Sequence, residues 1–361
     1  MNWSRSDIHF MKMALRLAKK GAGYTSPNPM VGAVIVKDGT TLGKGYHRRF
    51  GGLHAEVEAI RACAHDARHA TMYVNLEPCG HFGKTPPCVD QIVKAGIAEV
   101  VLSMIDPNPL VAGRGADMLR KRGVHVRVGL LDDQASRLNE AYLKYIVRRE
   151  PFVLLKAAIS LDGMIADSRG NSRWISCEES RRIVHRLRRE VDAVLVGIGT
   201  VLRDDPELTV RLIRTRRNPK RIILDTSLRV PRDAKVLDEK AHTIIVTAAL
   251  DEETEELKQM GKEVWHVGTD GREIDLRDFL HKAASEGITS ILVEGGGDIY
   301  SSFLRQKLVD KLCLFIAPKL LGEGMPLCGK LSIGSLEHPS EWKDVSLKKV
   351  GSDIFVVAYP A

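Results

Sequence analysis

Aromatic residues are scarce, at 5% of 361 positions, which argues against the stacking platforms that bind single-stranded nucleic acid. Cysteine is scarce too. The six thiols, Cys63, Cys79, Cys88, Cys177, Cys313 and Cys328, are too sparse for a disulfide framework and fit a reducing cytoplasm. No apolar run is long enough to cross a membrane. The N-terminal residues 1–7 lack the charged-then-apolar pattern of a secretory leader, so neither a membrane protein nor an exported one is expected. There is no internal repeat and no low-complexity tract. Acidic residues fall short of basic ones, 46 against 54, for a net charge of +8. That balance favours anionic partners, either phosphorylated small molecules or nucleic acid, or else a solvated basic face. Some basic density lies at 181–189 and 211–221. The length suggests two domains, with enough apolar residues for a core in each.

The densest chemistry lies between residues 54 and 88. His54-Ala55-Glu56 is followed by Pro78-Cys79 and, after eight intervening residues, by Cys88. One imidazole and two thiols give Zn²⁺ three ligands and leave the fourth position to water, as in catalytic rather than structural zinc sites. Water held there is acidified enough to act near neutral pH. Glu56 can shuttle protons beside that water without binding the metal. H-x-E…P-C…C is the signature of zinc deaminases, although their cysteines usually have two residues between them rather than eight. The competing reading is a closed structural site, for which His81 is the nearest fourth ligand.

Helical periodicity covers 6–20, with Ser6 or Asp7 as the cap and Gly21 and Gly23 at the end. Prolines hold 26–30 extended before an apolar run, 31–36, suited to a buried strand. Asn28 at its mouth is either turn chemistry or an amide that reads a heterocycle edge. A helix is expected from His54, strands over 71–76 and 99–104, and a helix opening at Pro87 that puts Cys88 at a positive helix end. Asp106-Pro-Asn-Pro begins a polar loop running to Gly115, in which Asp106 and Asn108 are either turn formers or substrate contacts. A strand at 124–128 and a helix over 132–145 complete a mixed, three-layer α/β unit.

Residues 1–149 resemble the deaminase half of the bifunctional riboflavin-biosynthesis deaminase/reductase family. The resemblance rests on S-P-N-P-M-V-G-A-V, H-A-E, L-E-P-C-x-H-x-G-K-T-P-P-C and D-P-N-P-L-V-A-G-R-G. The long spacer between the cysteines is typical of that family. The resemblance implies a cytidine-deaminase-like three-layer α/β/α fold, zinc on His54, Cys79 and Cys88, and proton transfer by Glu56. It also implies substrate contacts from Asn28, Lys84, Asp106 and Asn108, with Lys84 suited to a phosphate.

Arg148-Arg-Glu-Pro151 marks a boundary, and 150–361 reads as a second α/β unit. Strands are expected at 152–159, 192–199, 221–225, 243–247, 290–294, 311–318 and 353–359, with helices at 178–190, 275–286 and from 298. Val293-Glu-Gly-Gly-Gly297 at a strand-to-helix junction suits a phosphate, although it is not the dinucleotide fingerprint. With L-K-A-A-x-S-L-D-G, R-W-I and L-V-G-x-G-T-V-x-x-D-x-P-x-L-T-x-R, it resembles the reductase half of the same family. That resemblance implies a dihydrofolate-reductase-like fold and NADPH as cofactor. By position, Ala158, Trp174, Thr200, Asp204, Thr226 and the segment Gly296, Gly297, Asp298, Ile299, Tyr300, Ser301 and Ser302 would contact NADPH. Ser172, Arg188, Leu208, Arg211 and Glu294 would contact substrate, the two arginines at its phosphate. Asp204 and Lys156 are the candidates for proton handling, unless they are only a turn residue and a buried ion pair.

The implied function is two consecutive reactions in riboflavin biosynthesis on one phosphorylated intermediate. Zinc-dependent hydrolytic deamination of a diaminopyrimidinone comes first, then NADPH-dependent reduction of its ribosyl group to a ribityl chain. The expected partner is this small molecule, with no nucleic acid and no membrane, in a cytoplasmic homo-oligomer. Two rivals stand beside it: a nucleic-acid-editing zinc deaminase with a basic binding domain, and a zinc-stabilised interaction module. Within 225–229, Thr226, Ser227 and Arg229 suit the 2′-phosphate of NADPH, whereas Asp225 suits the free ribose hydroxyls of NADH.

Overall fold

The computed structural model describes residues 2–63, 65–80, 86–271, 273–328 and 339–361. The chain divides into two compact units, Met1–Arg149 and Glu150–Ala361.

The first unit runs α1 (Arg5–Ala18), β1 (Gly32–Lys37), β2 (Thr40–Tyr46), α2 (Ala55–Arg61), β3 (Thr71–Val74), α3 (Cys88–Lys94) and β4 (Glu99–Leu102). It ends with α4 (Arg114–Lys121), β5 (His125–Val128), α5 (Asp132–Leu138) and α6 (Glu140–Arg148). The sheet order is β2-β1-β3-β4-β5. β1 is antiparallel to both neighbours, while β3, β4 and β5 are parallel. Alternation along β1 makes the layers: Ala33 and Ile35 face α2, α3 and α4, while Val34 and Val36 face α1 and α5. The three-layer expectation therefore holds.

Local details differ from the sequence reading. Ser4, not Ser6 or Asp7, caps α1. Its hydroxyl accepts from Asp7 N, and Asp7 Oδ2 accepts from Ser4 N, both at 3.0 Å. This reciprocal box satisfies two otherwise orphaned donors. Pro87 is the cap of α3 rather than its first residue. The stretch after the D-P-N-P loop holds an unforeseen helix, α4. The single helix expected over 132–145 is two, broken at Asn139. β2 was also unforeseen. Its Gly45 lets α2 lie against the sheet, because a Cβ there would stand 2.3 Å from the Ala55 carbonyl.

The second unit begins with β6 (Phe152–Ile159), β7 (Met164–Asp167), α7 (Glu178–Glu190), β8 (Ala193–Gly197), α8 (Ile198–Asp204), β9 (Lys220–Leu224) and β10 (Thr243–Thr247). It continues through α9 (Asp251–Gln259), β11 (Glu263–His266), β12 (Thr269–Asp270), β13 (Glu273–Ile274), α10 (Leu276–Ser285) and β14 (Ser290–Val293). Then come α11 (Gly297–Arg305), β15 (Lys311–Ile316), β16 (Gly324–Pro326), β17 (Trp342–Val350) and β18 (Asp353–Pro360). Nine strands form one sheet, ordered β11-β10-β9-β8-β14-β6-β15-β18-β17. The first seven are parallel, and β18 and β17 close the edge antiparallel. Central strands of a parallel sheet are covered on both faces, which is why they read as continuous apolar runs. Asp204, expected in a polar loop, is the last residue of α8, and Asp205 turns the chain out with φ 39°.

One charged cluster ties α1 to the first sheet. Asp7 accepts from Tyr73 Oη at 2.8 Å and from Arg127 at 3.1 Å, and Arg127 also reaches Glu99 at 2.8 Å. Burial opposes ionisation of Asp7, but the bonds from Arg127, Tyr73 and Ser4 outweigh it and hold the carboxyl well below its ordinary range. A carboxyl depressed in the folded state contributes stability above its unfolded pKa and loses it as pH falls. Asp7→Asn should therefore cost on the order of 3 kcal/mol at neutral pH, and the cost should shrink below about pH 4. Denaturant titrations at both pH values check this.

Candidate active sites

In the first unit the geometry starts at element ends. His54 is the N-cap of α2, Cys88 opens α3, and Cys79 follows β3. His54 Nδ1 lies 3.1 Å from Cys88 Sγ and 3.5 Å from Cys79 Sγ. All three donor atoms lie within 4.8 Å of one another. Tetrahedral zinc with bonds of about 2.0–2.3 Å places such atoms roughly 3.5 Å apart, so the set fits one zinc ion. Among the described residues no fourth ligand joins it; His81 lies outside them, as does Lys84.

Glu56 stands beside this set. It is 3% exposed, and its Oε2 is buried with no hydrogen-bond partner among the described residues. Burial pushes its carboxyl up to about 7, against the pull of His54. A buried acceptor without a partner beside three metal-binding donors is chemically able to take up a proton. The thiol pair is asymmetric. The bond from Cys88, with His54, draws Cys79 down to about 4, whereas its bond to Cys79 and burial push Cys88 well up. A dication between them favours both as thiolates.

Asn28 joins this centre through a residue the sequence reading missed. His47 Nδ1 lies 2.9 Å from the Leu53 carbonyl, so it carries the proton. Its Nε2 then accepts from Asn28 Nδ2 at 3.2 Å, and its ring meets that of His54 edge-on at 5.7 Å. Asp106 and Asn108 fold back on themselves: Asp106 Oδ1 accepts from Asn108 N, and Asn108 Oδ1 from Leu110 N. Glu77, also missed, ties that loop to the cysteine arm. Its buried carboxylate accepts from Asp106 N, Gly113 N and Ala116 N at 3.2, 2.9 and 2.9 Å, capping α4. Gly115 is required there, since a Cβ would stand 2.0 Å from the Pro78 carbonyl.

In the second unit a cleft of about 1310 Å³ opens at the carboxyl ends of β6, β8, β9 and β14, where ligands bind in open α/β sheets. This exceeds the usual volume for one small ligand, about 300–1,000 Å³, and leaves room for a dinucleotide beside a substrate. Ala158, Trp174, Thr200, Asp204 and Thr226 line it, as do Ser172, Arg188, Leu208, Arg211, Glu294 and Lys156. Gly296 to Ser302 is the start of α11 rather than a loop. Gly296, Gly297, Asp298, Ile299, Tyr300 and Ser302 face the cleft, but Ser301 is buried away from it. Thr200 Oγ1 fixes that helix start by accepting from Gly296 N at 3.1 Å.

Glu294 organises the cleft floor. Arg188 donates to it twice, at 2.6 and 2.9 Å, and Lys156 Nζ lies 3.7 Å away. Burial opposes ionisation of Glu294, yet Arg188 and Lys156 hold it at about 2. Burial lowers Lys156, and Glu294 limits the fall. Arg188 is thus engaged by a carboxylate and the Thr209 carbonyl, whereas Arg211 is half exposed, donating to Thr209 Oγ1 at 2.9 Å and lying 3.5 Å from Glu207. His185, unremarked in the sequence, also lines the cleft. Its Nδ1 accepts from Arg211 N at 2.9 Å, and burial beside Arg188 and Arg211 lowers it to about 4, so it is neutral with its proton on Nε2.

The matching family models fall on these two units. One for the cytidine and deoxycytidylate deaminase zinc-binding region covers residues 4–104, and one for the RibD C-terminal domain covers 151–356. The riboflavin biosynthesis protein RibD of Aquifex aeolicus is 45% identical, over 97% of each chain. The chain belongs to the RibD family. It is a bifunctional enzyme of riboflavin biosynthesis, a zinc-dependent deaminase joined to an NADPH-dependent reductase. RibD of Escherichia coli K12 is 39% identical, over 96% of this chain and 98% of its own. A Thermotoga maritima deaminase/reductase crystal structure superposes with a TM-score of 0.89 at 38% identity, over 99% of each chain. Acinetobacter baumannii RibD gives 0.90 at 35%, also over 99% of each. Within this RibD-family cleft, Glu294→Ala should leave Arg188 and Lys156 buried without a counter-charge. A loss of about 3–5 kcal/mol is expected, with NADPH oxidation abolished and ammonia release kept. An unchanged unfolding midpoint would show the two cations to be independent of Glu294.

Proposed function

We propose that the substrate is diaminohydroxyphosphoribosylaminopyrimidine, deaminated in the 1–149 unit, and that the ribosyl group of the product is reduced in the 150–361 unit. The Thermotoga maritima relative carries both activities in its name, as a diaminohydroxyphosphoribosylaminopyrimidine deaminase and 5-amino-6-(5-phosphoribosylamino)uracil reductase. The observation that carries the reading is the unsatisfied Glu56 Oε2 beside three donors at zinc-binding spacing.

His54, Cys79 and Cys88 hold the metal in this reading. Bound zinc supplies the Lewis acidity that makes a water nucleophilic near neutral pH. Glu56 would take a proton from the attacking water as the water oxygen bonds to the amine-bearing carbon, and would return a proton to the nitrogen that leaves as ammonia. Asn28, held by His47, presents its amide oxygen to the pyrimidine edge. In the cleft, NADPH supplies the hydride. The start of α11 would hold its pyrophosphate, Arg211 would hold the substrate phosphate, and Lys156 or Asp204 would give the proton that accompanies reduction. Burial raises Asp204, which suits a donor.

Glu56→Gln should keep zinc and lose ammonia release, because an amide cannot accept the proton, while reduction of supplied deaminated intermediate continues. Zinc loss or retained deamination would remove Glu56 from this role. NADPH should be preferred over NADH. Asp225 is fully buried and accepts from Val230 N at 2.8 Å, closing its own turn, whereas Thr226, Ser227 and Arg229 line the cleft. Arg229→Ala should lower the ratio of kcat/KM for NADPH over NADH about tenfold or more; an unchanged ratio would leave Thr226 and Ser227 as the phosphate partners.

No helix of the described residues is long and apolar enough to cross a membrane. Our reading also places the enzyme in the reducing cytoplasm as a homo-oligomer. Six unbridged cysteines support the first part. An exposed edge strand, β17, with Val345 and Leu347 bare, supports the second.

A further inference from the structure

Two side chains at the break between α5 and α6 hold the two segments that carry the expected substrate contacts Asn28, Asp106 and Asn108; on the deaminase reading above, these segments are the walls of the site. The first wall is the 26–31 segment, tied to the ligand His54 through Asn28 and His47. Asn139 grips it at Met30: Asn139 Oδ1 accepts from Met30 N at 2.8 Å, and its Nδ2 donates to Met30 O at 3.0 Å. Asn75 holds the same stretch from the sheet side, donating to Met30 O and accepting from Gly32 N. The second wall is the loop from Asp106, tied to the cysteine arm through Glu77. Tyr142 grips that one. Its hydroxyl lies 2.9 and 3.0 Å from the two oxygens of Asp106, whose Oδ1 also fixes Asn108 N.

Asn139 and Tyr142 stand three residues apart, so they share one face of the chain as α6 begins. Both are buried, at 1% and 8% exposure. Neither bonds to His54, Cys79, Cys88 or Glu56 among the described contacts. The zinc-binding region shared with other deaminases covers 4–104, so it includes the 26–31 segment but ends before the loop from Asp106 and before α5 and α6 begin. The helix pair is therefore an addition to the metal frame rather than part of it, and its buried polar groups are spent on the walls.

We propose that Asn139 and Tyr142 are positioning residues of the deaminase, which set the separation and aim of Asn28 on one side of the substrate and of the 106–108 loop on the other. The proposal rests on the deaminase reading above. It explains why α5 and α6 do not run on as one helix: an uninterrupted helix would commit Asn139 to helical backbone geometry, whereas it sits at φ −106° with its amide turned to a segment 109 residues away.

The test uses full-length, zinc-loaded Tyr142→Phe and Asn139→Ala. Zinc per chain and NADPH oxidation with supplied deaminated intermediate should match wild type. The kcat/KM for ammonia release per zinc should fall about tenfold or more, chiefly through KM. Deamination within about twofold of wild type in both variants would overturn the proposal. Loss of zinc would overturn it too, because the helix pair would then support the ligands rather than the walls. A wild-type enzyme that releases no ammonia from this substrate would sink the deaminase reading instead.

Discussion

Two thiols and an imidazole packed within 4.8 Å form a set that is stable as two thiolates only around a cation, and the first unit is built to hold that set together. Its ligands come from three separate places in the chain. Each is fixed by something more rigid than its own loop: His54 by the start of α2, Cys88 by the start of α3, and Cys79 by the arm leaving β3. Gly45 permits the close seat of α2, and Gly115 permits the close seat of α4 against Pro78. A methyl group at Gly45 would push the start of α2 off the sheet, and one at Gly115 would push α4 and the arm that carries Cys79 apart.

The second unit solves a related problem with the opposite sign. Its fixed charge is the buried Glu294 carboxylate, and the compensating groups are Arg188 and Lys156. Such a network costs desolvation energy and is useful mainly for specifying one arrangement of its members. Here it holds two cations at the end of β14, where α11 opens toward the cleft. His185, held neutral by burial beside Arg188 and Arg211, lines the cleft without adding charge.

Much of this was legible in the sequence because its signals are local. The apolar run Val31–Val36 and the central strands of the second unit announce themselves by continuous burial. The H-x-E and Pro-Cys segments announce ligands by residue type. What could not be read depends on distant partners. At the break Asn139 bonds to Met30, 109 residues away, and nothing near Asn139 marks it. α4 hides behind Gly113, Gly115 and a polar face, with only Gly115, Ala116 and Leu119 buried. His47 and His185 are lone histidines, whose meaning comes from Leu53, Asn28 and Arg211. Asp225 suits a ribose by position alone, and only the fold shows it buried with one oxygen accepting from Val230 N. Ser301 was included in a segment facing the cofactor, but helical geometry turns one residue of that run inward.

The central claim is that two chemistries act in order on one molecule. The most direct measurement follows ammonia and NADPH together, using purified full-length enzyme and the diaminopyrimidine ribosyl phosphate. The account predicts ammonia release that needs no NADPH, followed by NADPH oxidation that approaches one equivalent per ammonia formed. NADPH oxidation that precedes ammonia release, or proceeds without it, would contradict the order assigned here.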